Sequence, residues 1–413
     1  MTLIKSLLLG SAAGIVAVAS AQAADLPTRK GAPAAEYVRV CTINVGGTPI
    51  VGFTLPGSDT CLKISGYVSA QYTVASEAAN TQNSFGMFTR AQVNFDAVSN
   101  TGAGPLLAHI EVQEDYGIGF DSRYGGYGTD QARTQVNSGF ITWAGLTAGK
   151  HGSFFDYFAG GPAWDDFISP DHSGGPVNLI AYTASVGGGF SATLSAEAPE
   201  PSGDVGYRAP DIVGQLKLVQ PWGNVQLSGL AHDVENDDLT SVTGGVISTW
   251  GFAVLGGLDF NIPGYAGADL KLQGVYAHDA IAYSGLTSPG DFNYDTPGFN
   301  TGENGVLGTF VDVLNDGVAD HDSSAWSVAG ALTLPITPSF KVTPEASWGS
   351  VTYSSSPVKA DAFVGGGVLE WVPVKNLVFD LDLLYINGNF TDLAAVKTNY
   401  DGFNAKLRIE RDF

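Results

Sequence analysis

The stretch CLKISGYVSAQYTV, residues 61–74, alternates with a period of two. Leu62, Ile64, Val68, Ala70 and Tyr72 share one parity, and Lys63, Ser65, Ser69 and Gln71 share the other. That period marks a strand with one apolar and one polar face. The pattern returns in FTRAQVNFDAV (88–98), where Ala91, Val93, Phe95 and Ala97 oppose Arg90, Gln92, Asn94 and Asp96. In LLAHIEVQED (106–115), Ala108, Ile110 and Val112 oppose His109, Glu111 and Gln113. A soluble sheet rarely gathers Arg, Gln, Asn, Asp, Glu and His on one face of strand after strand with no apolar core elsewhere. Lipid outside and water inside account for both faces.

Working outward, sixteen such segments span 61–74, 85–98, 105–116, 132–144, 146–156, 177–186, 189–198, 208–219, 223–234, 249–262, 267–281, 324–335, 339–353, 361–372, 375–389 and 401–413. Seven short turns, among them Gly145, QPW, PITP and PVK, interleave with eight long connections. This short–long rhythm predicts an all-β, transmembrane, 16-stranded antiparallel barrel with tight turns at the periplasmic end and long outer loops. In the last segment, YDGFNAKLRIERDF, Phe403, Ala405, Leu407, Ile409, Arg411 and Phe413 share one parity, and Asn404, Lys406, Arg408, Glu410 and Asp412 share the other. That strand is expected to close on the first, removing both edges.

Composition agrees. Charged residues are 15%, against about 25% in soluble domains. Glycine is 54 of 413, near twice the usual share of about 7%. The net charge of −22 argues against nucleic acid as a partner and favours cations in the lumen and loops. MTLIKSLLLGSAAGIVAVASAQA (1–23) has the charge, apolar core and small-residue end of a signal peptide, implying export. Residues 24–60 read as an irregular periplasmic lead-in, and 61–413 as the barrel. Cys41 and Cys61, the two cysteines of an exported chain, are expected to form a disulfide.

The segments ADLPTRKGAPAAEYVRVC (24–41), PGSDTCLKISGYV (56–68) and AGLTAGKHGSFFDYF (144–158), with the terminal Phe413, resemble the alphaproteobacterial outer-membrane porin family. These are relatives of the trimeric, 16-stranded general diffusion porins. The resemblance implies a homotrimer, one pore per barrel, and a third outer loop folded into the lumen. The stretch FFDYFAGGPAWDDFISPDHSGGPVN (154–178) follows the fifth segment, the place of that loop. It has no regular period and carries Asp156, Asp165, Asp166 and Asp171.

The expected function is passive diffusion of small hydrophilic solutes and ions across the outer membrane, with mild cation preference. Membrane lipid and lipopolysaccharide would surround the barrel. No cofactor, metal or reaction is expected. By parity, Lys63, Arg90, Arg133, Lys406 and Arg408 face the lumen on contiguous strands. Facing the loop acids Asp156, Asp165, Asp166 and Asp171, they would set a transverse field at a constriction. Lys150 has ambiguous parity. The loop 282–323 holds seven acids and no Lys or Arg, and reads as a solvated acidic vestibule. Its DVLNDGVAD (312–320) departs from a calcium loop at Leu314 and lacks the closing Glu. The alternatives are a substrate-selective channel, for instance for sugars, marked by an aromatic track, or a barrel that only anchors a surface adhesin or receptor. The six scattered histidines form no hydrolase or metalloprotease motif.

Overall fold

The structure is a computed structural model that describes residues 39–75, 85–119, 131–157, 176–199, 208–236, 247–286, 312–315 and 319–413. An N-terminal hairpin comes first: β1 (Val40–Val45) and β2 (Thr48–Thr54). The near wall follows as β3 (Cys61–Ala75), β4 (Phe85–Thr101), β5 (Gly104–Gly119), β6 (Gln131–Trp143) and β7 (Leu146–His151). Then come β8 (Val177–Gly187), β9 (Phe190–Glu197), β10 (Asp211–Gln220), β11 (Gly223–Asn236), β12 (Ile247–Asn261) and β13 (Asp269–His278). A three-residue β14 (Val313–Asn315) precedes β15 (Asp320–Thr337), β16 (Phe340–Tyr353), β17 (Lys359–Val374), β18 (Leu377–Thr391) and β19 (Lys397–Asp412).

Among the described residues, sixteen strands, β3–β13 and β15–β19, pair antiparallel with their neighbours, and β19 returns to β3. The closing register runs from Asn404↔Ala75 to Asp412↔Tyr67. Phe413 then exchanges two backbone bonds with Gly66, at 2.9 and 3.2 Å. A Cβ at Gly66 would lie 2.9 Å from the Phe413 ring and 2.1 Å from a carbonyl of β4, so the seam requires glycine there.

The alternation places the two faces as expected. Ile64, Val68, Tyr182 and Leu227 are outward and exposed, while Ser69, Gln71, Gln92, Gln113, Gln226 and Ser228 are inward and buried. This is the inverse of a soluble protein and the order that lipid imposes. The tight turns share one end. The one after β6 uses Ala144 and Gly145 at positive φ, the geometry of a two-residue hairpin. Trp143, Trp222, Tyr265, Trp371 and Phe413 sit exposed near that end, where an aromatic belt meets the headgroups.

Three expectations are corrected. The lead-in 24–60 is not irregular throughout: β1 and β2 pair across Gly46–Gly47, both at positive φ. Ile50 of this hairpin packs on Val98 and Leu107, inward residues at the tight-turn end, with Ile43, Val45 and Phe140 around them. The hairpin therefore lies at that mouth of the barrel. Second, the strand expected over 146–156 ends at His151, and beyond it Ser153 and Phe154 turn to bond Glu197. Third, the 282–323 connection is not uniformly solvated. Ala280–Leu286 is buried and contains a 3₁₀ turn, Ile281–Ser284, and Asp312 is 1% exposed.

The Cys41–Cys61 disulfide is present, with Cα atoms 5.8 Å apart and a sequence separation of 20. A loop of that size contributes about 3 kcal/mol, and burying Ile50 adds about 2 kcal/mol. Replacing both cysteines with serine is therefore expected to loosen the hairpin while the barrel stays closed. Limited proteolysis read by mass spectrometry should show new cleavage within residues 39–60 and an intact barrel fragment. Equal resistance in both proteins would show that packing alone holds the hairpin.

Candidate functional site

The lumen wall is built by parity and register. On β3, β4 and β19 the inward positions include Lys63, Arg90, Lys406 and Arg408. The backbone register sets Arg133 opposite Asp115, itself an inward position; the Arg133 side chain lies outside the described residues. Lys150 takes the outward parity and donates to the Val136 carbonyl at 3.3 Å.

The inward basic residues are matched by acids across the strands. Arg90 donates two bonds to Asp115, Nε to Oδ1 at 2.7 Å and Nη2 to Oδ2 at 2.9 Å. Gln113 adds a third at 3.0 Å. The Asp115 side chain is 0% exposed, whereas Arg90 keeps 21%. Lys63 lies opposite Asp96 in register, and Asp96 also meets His109 Nδ1 at 2.6 Å. Lys406 lies opposite Asp382, and Arg408 opposite Asp380. Arg408 also pairs with Glu410. Lys341 joins Glu370 at 2.7 Å. The sector from β16 through β19 to β6 thus carries interleaved charge and not one sign. Asp115, Asp380, Asp382 and Glu410 were not singled out from the sequence. Counting cross-strand pairs outward from the Thr101–Gly104 turn would have found Asp115 opposite Arg90.

Beyond His151 the chain runs against the inward side chains of β9–β12. Glu197 accepts from Ser153 Oγ at 2.6 Å and from the Phe154 N–H at 3.1 Å. Gln215 and Ser228 donate to the Phe154 carbonyl, at 2.8 and 3.3 Å. Gln226 donates to the Asp156 carbonyl at 2.8 Å, and Tyr157 donates from its hydroxyl to Asn224 at 3.0 Å. The Tyr157 ring lies where a side chain at Gly257 would be, 2.3 Å from its ideal Cβ, so this approach needs glycine on β12. Of the loop acids named from the sequence, Asp156 is placed here, half-buried. Asp165, Asp166 and Asp171 lie outside the described residues.

The opposite sector adds an apolar cluster among its buried polar groups. Val213, Leu230, Leu255, Val275, Ala277 and Val351 point inward and are covered by Phe155, Ile281, Tyr283 and Leu286. Phe155 meets the Tyr283 ring edge-on at 5.2 Å. Each such aromatic burial contributes about 1.5–3 kcal/mol. Along β5–β7 a second line of rings borders the polar sector. His109 stacks on Phe140 at 4.8 Å, Phe140 meets His151 at 4.5 Å, and His151 stacks on Phe154 at 5.5 Å. One half of the lumen is therefore packed, and the other is lined by charge, amide and hydroxyl groups that can hydrate a solute.

Comparison with known proteins agrees with this geometry. The family described as "Porin subfamily" matches residues 25–407. Porin Omp2b of Brucella suis biovar 1 is 31% identical over 363 residues, covering 84% of this chain and 92% of the relative. Porin Omp2a of Brucella ovis is 30% identical, covering 84% of this chain and 98% of its own length. In fold, the chain is similar to the outer membrane channel DcaP of Acinetobacter baumannii, with a TM-score of 0.65 at 14% identity over 88% of this chain and 99% of that one. OmpT of Vibrio cholerae follows at a TM-score of 0.51 and 10% identity, covering 87% and 99%. The closed sixteen-stranded wall, its lipid-facing apolar exterior and its polar lumen are those of a non-enzymatic channel of the bacterial outer membrane, and the chain belongs to the porin family.

Proposed function

We propose that this porin passes small hydrophilic solutes and ions by passive diffusion, with mild cation preference, as a homotrimer. The carrying observation is the hydrogen-bonded course of Ser153–Tyr157 against inward residues of β9–β12. To that anchored root, which carries Asp156, we assign the constriction together with Asp165, Asp166 and Asp171, which follow in sequence, acting with Lys63, Arg90, Arg133 and Arg408.

Cation preference follows from counting sign on the wet sector. Asp96, Glu111, Asp115, Glu370, Asp380, Asp382 and Glu410 outnumber Lys63, Arg90, Arg133, Lys341, Lys406 and Arg408 there by one. Each base is matched by an acid across a strand, so the loop carboxylates add to a wall that already holds an acidic excess. Such a passage enriches cations and repels anions without binding either tightly.

The trimer rests on the outward face. Glu114, with Thr134 donating to it, and Lys150 face outward on β5–β7 among apolar neighbours. A lysine on the lipid face costs about 2–4 kcal/mol near the bilayer midplane. A neighbouring subunit covering this sector removes that penalty, and lipid with lipopolysaccharide surrounds the rest.

A second reading is favoured by the His109–Phe140–His151–Phe154 ring line. Flat faces in series suit sugar rings, so a sugar-selective channel would use it. Oligosaccharide added to the bath should leave the ion conductance of a general diffusion pore unchanged. A concentration-dependent block that disappears in Phe140→Ala would instead establish the sugar-selective reading.

Two further outcomes are expected. In planar bilayers under a salt gradient, the double substitution Asp165→Asn/Asp166→Asn should shift the reversal potential toward zero; an unchanged potential would remove the loop from selectivity. Val136→Cys, treated with a short bis-maleimide, should link copies into dimers and trimers, while Val254→Cys on β12 should stay monomeric on a denaturing gel. Equal linking at both positions would place the interface elsewhere.

A further inference from the structure

Inward positions on the near wall change character at the tight-turn end. Along β4 they run Gln92, Asn94, Asp96 and then Val98. Along β5 they run Gln113, Glu111, His109 and then Leu107, and on β6 Phe140 lies opposite His109. A water-filled lumen calls for polar inward residues, so apolar ones at an open mouth need a cover. The β1–β2 hairpin supplies it. Ile50 packs on Val98 and Leu107, which face each other in register, with Ile43, Val45 and Phe140 around them. Val98 has no exposure, and Ile50 and Leu107 keep 7% and 8%.

Two attachments fix the hairpin at this place. At its end, Phe53 and Thr54 pair with Leu62 and Cys61, on the edge of β3 beyond the Gly66–Phe413 bonds that finish β19. β2 comes so close to that edge that a Cβ at Gly52 would lie 2.2 Å from the Leu62 carbonyl oxygen. At its start, Cys41 is bonded to Cys61. Ile43 and Val45 turn toward the wall, so Thr42 and Asn44 alternate to the other side of β1, where they are exposed. From Val40 to Thr54 the sequence holds no charged residue. The hairpin thus takes up space next to Asp96 and His109, toward the mouth, and adds no charge to theirs.

We propose that β1–β2 is a second narrowing of the passage, at the tight-turn mouth of the polar sector, and that it limits solutes by size and not by charge. The proposal rests on the channel reading above. It is separate from the constriction assigned to the Ser153–Tyr157 root, which acts through carboxylates; the hairpin acts through bulk alone. Ile50 and the disulfide are positioning groups that keep that bulk in the mouth.

Exclusion of neutral polymers of graded size tests it. Poly(ethylene glycol) is added to one bath at a time, and entry is read as a fall in single-channel conductance. The triple substitution Cys41→Ser/Cys61→Ser/Ile50→Asn frees the hairpin without adding charge. It should raise the largest polymer admitted from one side and leave the limit from the other side as in the wild type. The reversal potential under a salt gradient should not move. Asn44→Trp, which adds bulk on the exposed side of β1, should lower the limit on the side where the triple variant raises it. Limits unchanged in both variants, or an equal rise on both sides, overturn the proposal, and a shifted reversal potential overturns its restriction to size. Heat-modifiable gel mobility checks that each barrel folds; if the triple variant does not, Asn44→Trp alone decides. A wild type that conducts no ions would overturn the channel reading, whereas a conducting wild type whose limits ignore the hairpin would overturn this proposal alone.

Discussion

In the bilayer core no water is present to bond an exposed backbone N–H or C=O, and each one left open costs several kcal/mol. The rest of the molecule follows from meeting that constraint by closure. β19 must find β3, and the Phe413–Gly66 bonds complete the seam after the Asp412↔Tyr67 pair. Closure also makes parity a global property. Shifting one strand by a single residue would send its apolar set into the lumen and its polar set into lipid. Register is therefore specified by every strand at once, and segments as short as β7 hold their place between longer neighbours.

Closure creates an interior, and the chain divides it. The β10–β16 side receives Phe155, Ile281, Tyr283 and Leu286, which pack on an apolar cluster set among buried polar groups such as Gln226, Ser228, His232 and Gln273. The β16–β6 side keeps Arg90, Lys406, Arg408 and their acids, which need water or partners. Packing one side confines solute to the other. The disulfide-held hairpin at the tight-turn end and the Ala280–Leu286 segment near the rim act on opposite ends of the same barrel.

Fold was legible because it depends on local alternation. CLKISGYVSAQYTV and YDGFNAKLRIERDF each state their inward parity without reference to any other residue, and short–long connections give the direction. The cysteine pair was legible from export. The Arg90–Asp115 pair was harder to see, since it needs cross-strand register, which follows from turns only when their lengths are known. The hairpin at 40–54 was missed because its apolar side is short and its turn, Gly46–Gly47, sits in a Gly- and Pro-rich stretch. The buried segment AIAYSGL has neither a period of two nor length for a strand. Its place depends on Tyr283 meeting Asp211 across 72 residues of sequence, and on Asp312 returning to Ile281. No local pattern encodes contacts between loops and distant strands.

The pairing of wall charges changes what selectivity can rest on. A lone arginine at the lumen face would project a full positive charge into the passage. Arg90 instead shares a bidentate bond with a carboxylate that has no exposure, and removing either partner would strand the other, at about 3–5 kcal/mol for a buried pair. The pair is thus first a device that lets β4 and β5 carry charge in a closed wall. Its residual field is that of a dipole, which falls off faster than that of a single charge. The proposed mild cation preference therefore rests on the acidic excess of the wall as a whole: compensated pairs with a small acidic surplus are the arrangement that would give weak preference with easy release.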